Sequence, residues 1–175
     1  PPSMVDISFE WIGPDGADEL SGIAYRVFME VYTYEREDVV REFLDENQSP
    51  EAIRRQMSEG MSYAYIVSDG ARVGYVGFVM EGDSMHLSKL YVFDGFRDRG
   101  IGSAAMDMVE AIARERGASS IHLDANGKNS GALSLYRRKG YVETGRVGKN
   151  YLRVDLRKPL GPGDGSRRGL YPSTP

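Results

Sequence analysis

Residues 62–92 hold three segments rich in β-branched and aromatic residues, SYAYIVS, RVGYVGFVM and MHLSKLYV. Only short turns, Asp69-Gly70 before Ala71 and Glu81-Gly82-Asp83 before Ser84, separate them. Antiparallel strands can be joined by two or three residues, whereas parallel strands need a crossover of a dozen or more. Whatever else the chain does, it must therefore build an antiparallel meander and cover it with helices.

The helices are legible on either side. Asp18 to Tyr32 carries Leu20, Ile23, Ala24, Val27, Phe28 and Val31 at helical spacing. YEREDVVREFLDEN repeats the pattern with Val39, Val40, Phe43 and Leu44 as its apolar stripe. A third helix begins at Ser49-Pro50, a capping serine before a first-turn proline, and stops near Gly60. After the meander, FRDRGIGSAAM leads into a helix from about Ser103 to Arg116, with Ala105, Met108, Val109 and Ile112 inward and Glu110 paired with Arg114 on the outer face. SSIHLDA then reads as a strand, NSGALSLYRRKG as a helix capped by Asn129 or Ser130, and YVETG with YLRVDL as a closing hairpin. The expected architecture is one α+β domain over residues 1–160, with a single mixed, mostly antiparallel twisted sheet flanked by helices. From Gly161 onward, GPGDGSRRGLYPSTP consists of turn formers and polar residues and is expected to be a flexible tail.

Composition removes several classes of function. The absence of cysteine excludes a disulfide, a thiolate metal site and a cysteine nucleophile together. Two histidines without ligand spacing give no expectation of a metal. A formal charge of −4 argues against nucleic acid as a partner. No apolar run approaches the roughly 20 residues of a membrane span. PPSMVDISFEW lacks the basic-then-apolar pattern of a secretory signal, so a cytoplasmic protein is expected.

The loop before the fourth helix is the candidate for chemistry. Gly100-x-Gly102-x-x-Ala105 satisfies a dinucleotide fingerprint, and Asp124, 19 residues beyond Ala105, stands where an acid would meet a ribose. Against this, seven residues separate Val92 from Gly100, and too little chain follows for a second mononucleotide half. The other reading starts three residues earlier. A loop entering a helix points unpaired N–H groups at one spot, and glycine lets an anion approach the backbone closely.

Arg97-x-x-Gly100-x-Gly102 resembles the R/Q-x-x-G-x-G/A signature of the GCN5-related N-acetyltransferases. Asn129-x-x-Ala132-x-x-Leu135-Tyr136-x-x-x-Gly140-Tyr141 is similar to that family's second signature, and KLYV (Lys89–Val92) sits where family strands run along the pantetheine arm. The resemblance spans Leu87 to Gly145. It implies acetyl-CoA as cosubstrate. The diphosphate would lie on the backbone of Arg97, Asp98, Arg99, Gly100, Ile101, Gly102 and Ser103, the pantetheine along Leu90, Tyr91 and Val92, and Asn129 and Tyr136 would complete the site.

Without a cysteine, transfer would run directly from thioester to amine. An alkyl amine with a pKa of about 10 arrives protonated, so a base is needed as well as an acid for the leaving thiolate. The resemblance makes Tyr136 the acid and a backbone N–H near Leu90–Val92 the oxyanion donor. Alternation puts His86, Ser88, Leu90 and Val92 on one strand face. His86 stands where some family members carry their base, with Glu81 and a water chain as alternatives, and His122 is read as structural. An acetyltransferase is therefore expected, and a CoA-binding module without turnover is the non-enzyme alternative.

The acceptor is least constrained. Six acids against Arg36 and Arg41 in residues 34–47 would attract a cation, or simply solvate a helix face. The layout of this half resembles bacterial spermidine/spermine acetyltransferases, which implies a polyamine or other small primary amine. A protein or peptide N-terminus is the second choice. Dimers are common in the family, and the C-terminal hairpin is the candidate for pairing in a homodimer.

Overall fold

The computed structural model describes residues 5–33, 35–148 and 153–161. Seven strands form one sheet: β1 (Ser8–Ile12), β2 (Ser62–Ser68), β3 (Ala71–Glu81), β4 (Ser84–Val92), β5 (Ser120–Asn126), β6 (Val142–Val147) and β7 (Arg153–Pro159). Their order across the sheet is β1-β2-β3-β4-β5-β7-β6. The helices are α1 (Ala17–Val31), α2 (Glu37–Asn47), α3 (Pro50–Ser58), α4 (Ile101–Glu115) and α5 (Ser130–Arg138). Among the described residues no helix is long and apolar enough to cross a membrane. Apart from Gly161, the expected tail lies outside the described residues, as do Tyr34 and residues 149–152 of the final hairpin.

The meander forms as its turns dictate. Asp69 and Gly70 both adopt positive φ, 50° and 77°, the pairing that matches the twist of a two-residue hairpin. Every neighbouring pair in the sheet is antiparallel except β4–β5. One parallel contact rules out the doubly wound sheet that a dinucleotide enzyme needs, so that reading of Gly100-x-Gly102 is overturned. On one face, α4 packs through Ile101, Ala105, Met106, Val109 and Ile112 against Ile66, Val76, Phe78 and Leu87. On the other, Leu20 and Ala24 of α1 and Ile53 of α3 cover Tyr63, Tyr65 and Tyr75.

Three sequence expectations change. The edge strand β1 was not anticipated; its Phe9 and Trp11 pack edge-on, and Trp11 meets Phe78 in the core. The apolar stripe of α2 divides. Val40 and Leu44 are buried, while Val39 and Phe43 are 48% and 47% exposed. Glu110 is not on an outer face with Arg114: it is 3% exposed, accepting from Lys158 Nζ at 2.6 Å and from the Tyr141 hydroxyl at 3.0 Å.

The feature that creates a site is a split in the sheet. β4 and β5 pair only at Ser84↔Ser120, Met85↔Ile121 and His86↔His122. Beyond that point β4 stays with β3 as far as Val92↔Gly74, and β5 stays with β7 as far as Asn126↔Arg153. β4 also gains a residue two positions past its last pair with β5. Leu87 opposes Phe78 and Lys89 opposes Gly77, leaving Ser88 as a bulge.

Candidate active site

The gap between the diverging strands opens a cleft of about 810 Å³. β4 forms one wall, and β5 with α5 forms the other. Phe28, Tyr32, Val39 and Phe43 of α1, α2 and their connection close one end. The half of the α2 stripe that is not in the core thus faces this cleft.

The bulge at Ser88 resets which β4 side chains share a face. Simple alternation groups His86 with Ser88, Leu90 and Val92, and the structure corrects this. Leu90 and Val92 oppose Val76 and Gly74 on the α4 side with Leu87, whereas His86, Lys89 and Tyr91 oppose Val79, Gly77 and Tyr75. Gly77 is required here, because a Cβ would lie 2.8 Å from the Tyr63 ring and 3.1 Å from Lys89 Cγ. Burial holds the Lys89 ammonium below its ordinary pKa, with Asp124 opposing that shift.

At the start of α4 the chain is built to receive an anion. Asp98 and Gly100 take positive φ of 61° and 79°, and Gly100 caps the helix without any side-chain hydrogen bond. The first helical bond runs from Ala104 N to Gly100 O at 3.0 Å. Among the described residues the amides of Ile101, Gly102 and Ser103 therefore have no partner at the positive end of a helix of 15 residues. Gly102 is open, with only Val92 Cγ2 near its missing Cβ at 3.8 Å. The side chains of this loop mostly brace it. Arg97 Nε donates to Val92 O at 3.2 Å, Arg99 lies over the Phe96 ring, and Ser103 Oγ accepts from Lys139. Ile101 contributes its amide from a buried position, 3% exposed.

On the opposite wall, Asn129 caps α5 by accepting from Ala132 N at 3.1 Å, and Tyr136 lies on the same helix facing the cleft. Among the described residues the Tyr136 hydroxyl has no hydrogen-bond partner. Burial, and then the charge of Asp124, raise the Tyr136 pKa above the ordinary phenol value. The group is held in its protonated, donor form.

His86 is not isolated. Its Nδ1 is 2.9 Å from Glu81 Oε1, and its Nε2 is 3.9 Å from Asp124 Oδ2. Glu81 Oε2 is also 3.1 Å from His122 Nε2. Burial works to raise the Glu81 pKa, but the two imidazoles outweigh it and the carboxyl stays below its ordinary value. An ionised Glu81 accepting at Nδ1 leaves the lone pair of His86 on Nε2, toward Asp124 and the cleft. Glu81 and His86, alternatives in the sequence, stand in direct contact. Asp124, singled out for a ribose, stands at the cleft beside His86 and Tyr136. Alternation within SSIHLDA was the available signal, since it places His122 and Asp124 on one face.

The profile described as the acetyltransferase (GNAT) family matches residues 25–141. The chain belongs to the GNAT family. It is an acetyl-CoA-dependent N-acetyltransferase. It is 30% identical over 132 residues to an uncharacterised N-acetyltransferase of Mycobacterium tuberculosis, covering 74% of this chain and 85% of that one. A streptothricin acetyltransferase of Streptomyces lavendulae is 28% identical over 90 residues, covering 50% of this chain and 48% of the other. Among solved structures, the PaiA N-acetyltransferase of Thermoplasma acidophilum, in complex with coenzyme A, superposes with a TM-score of 0.75. The match covers 88% of this chain and 99% of that one at 18% identity.

Proposed function

We propose that this acetyltransferase acts on a small primary amine, with a polyamine as the first candidate, by direct transfer across the β4–β5 gap. The split of the sheet supports the reading, because it sets His86, backed by Glu81, on one wall and the protonated Tyr136 on the other. The free amides of Ile101, Gly102 and Ser103 fit a diphosphate, and the edge of β4 fits the amide-bearing pantetheine arm. Acetyl-CoA supplies the acetyl thioester.

The protein's own groups divide the remaining work. Asp124 draws the cationic amine toward His86, and Phe28, Tyr32 and Tyr91 give its alkyl chain an aromatic bed, with Glu35 a second carboxylate at the cleft. His86 Nε2 removes a proton from the amine, and Glu81 stabilises the imidazolium that results. A backbone N–H from Leu90–Val92 meets the oxyanion. Tyr136 holds a proton for the departing sulfur.

The test is a thermal-shift screen with acetyl-CoA, CoA, NAD and NADP, followed by thiol release against an amine panel. The panel should include spermidine, other diamines, streptothricin and a peptide with a free N-terminus. Acetyl-CoA at about 100 times its dissociation constant should add roughly 2.7 kcal/mol. Turnover with small amines and none with the peptide supports the proposal. Turnover confined to the peptide overturns the choice of acceptor, and binding without turnover on any amine overturns the enzyme reading.

A further inference from the structure

The turn between β3 and β4 and the register between β4 and β5 bring three ligating side chains to one point. Glu81 ends β3, while His86 and His122 are directly opposed across the parallel pair. Their rings stack with centroids 4.8 Å apart and planes 8° from parallel. Stacking turns His86 Nδ1 and His122 Nε2 toward the two oxygens of one carboxylate, at 2.9 and 3.1 Å. The ligand atoms of all three residues lie within 4.8 Å of one another. Spacing in the sequence does not show this, because 35 residues and a helix separate the two histidines.

Of the nitrogens turned away from Glu81, that of His122 is hydrogen-bonded and that of His86 lies 3.9 Å from a carboxylate. His122 Nδ1 is 2.6 Å from Ser84 Oγ, and that oxygen is held by Ser120 Oγ at 2.9 Å and Arg157 Nη1 at 3.2 Å. His86 Nε2 faces Asp124. Imidazoles that bind metals ordinarily have the second nitrogen fixed by such a partner, which sets the tautomer and the ring plane. The two side chains are each 22% exposed and Glu81 is 53% exposed, so solvent reaches the point where they meet.

We propose that Glu81, His86 and His122 form a binding site for a divalent transition-metal ion, with zinc the best match. Two imidazole nitrogens and one carboxylate suit zinc, and the fourth position is left open. Magnesium and calcium prefer all-oxygen shells and are excluded by the two imidazoles. Binding needs a change of tautomer and a rotation of the two rings out of their stack, because an imidazole ligates in its own plane. The hydrogen of His86 moves to Nε2, on the side of the Asp124 carboxylate 3.9 Å away. That of His122 moves to Nδ1, and the Ser84 hydroxyl turns to Ser120 O, 3.3 Å away. One consequence rests on His86 being the base: ligated through Nδ1, it carries its hydrogen on Nε2 and has no lone pair for the amine. Zinc then switches transfer off.

The experiment titrates the full chain, free of acetyl-CoA, with zinc against a chromophoric chelator, and repeats it for His122→Asn and Ser84→Ala. One ion per chain is expected. Affinity should fall more than 100-fold in His122→Asn and about 10- to 100-fold in Ser84→Ala. Magnesium in place of zinc should give no binding. Absence of zinc binding in the wild type, or equal affinity in wild type and His122→Asn with both folded by circular dichroism, overturns the site and leaves the acetyltransferase reading intact. Thiol release with and without zinc tests the consequence separately. The rate of His122→Asn, whatever its zinc-free value, should be unchanged by zinc, whereas wild type should be inhibited. If zinc binds at full stoichiometry and turnover is unaffected, the site stands and His86 is not the base.

Discussion

Replacing Tyr136 with phenylalanine separates chemistry from folding because of what the hydroxyl does not do in the resting protein. It has no hydrogen-bond partner among the described residues, so its removal orphans no other group. The ring contact with Tyr141, 6.1 Å between centroids, is retained. Stability should therefore change by less than about 1 kcal/mol. The expected loss in kcat follows from the leaving group. A positioned general acid is worth about 10²- to 10⁴-fold, most when the leaving atom is a strong base. A thiol has a pKa of about 8.5, less than two units above neutrality, so the thiolate departs with modest assistance. The lower end applies: about 100-fold in kcat, or roughly 2.7 kcal/mol.

Acetyl-CoA affinity should stay within about twofold, since the free amides at the start of α4 do not involve Tyr136. Initial rates of thiol release at saturating acetyl-CoA give kcat, and thermal shift with and without acetyl-CoA gives stability and binding. A kcat within threefold of wild type would remove Tyr136 from the proton path. A parallel collapse of acetyl-CoA binding would make it a positioning residue instead.

Glu110→Ala should be far more damaging to folding than any change at an exposed acid, because it leaves the buried Tyr141 hydroxyl and the half-buried Lys158 ammonium without their partner. Breaking such a pair costs about 3–5 kcal/mol, and a urea midpoint unchanged from wild type would refute the buried-pair account. Alkaline stability supplies a second check. Burial is the leading cause of raised pKa values at six tyrosines, carrying Tyr25 and Tyr65 up to about 12. Groups raised in the folded state contribute fully below their unfolded pKa of about 10, and that contribution is lost as the pH climbs through the folded values. Lys89 works in the opposite direction, but it is one group against six. Urea midpoints should hold level to about pH 10 and fall above it; a midpoint still level at pH 12 would contradict the burial assigned to these phenols.

What the sequence disclosed and what it hid divide by the range of the interactions involved. Asp69-Gly70, the Ser49 cap, the Asn129 cap and Gly100 at the entrance to α4 each act on backbone within a few residues, and each stands where it was read. Glu110 misled because a charged residue beside an apolar helical face is ordinarily solvated. It is buried because β7, 48 residues away, delivers an ammonium to it. β1 is five residues long and owes its place to Phe9 and Trp11 reaching the core through a distant pair. The candidate base was found by resemblance, yet its neighbours were assigned to the wrong face, because one extra residue at Ser88 inverts the alternation that follows. Nothing local announces that bulge. Its partner Gly77 looks like any strand glycine until Tyr63 and Lys89 are seen to fill the space a side chain would take. The bulge, the end of the β4–β5 pairing and the His86–Glu81 contact fall within a few residues of one another. The proposed chemistry therefore sits where the periodic rules of the sheet give way, since regular pairing would have closed the gap through which acetyl-CoA and an amine are proposed to meet.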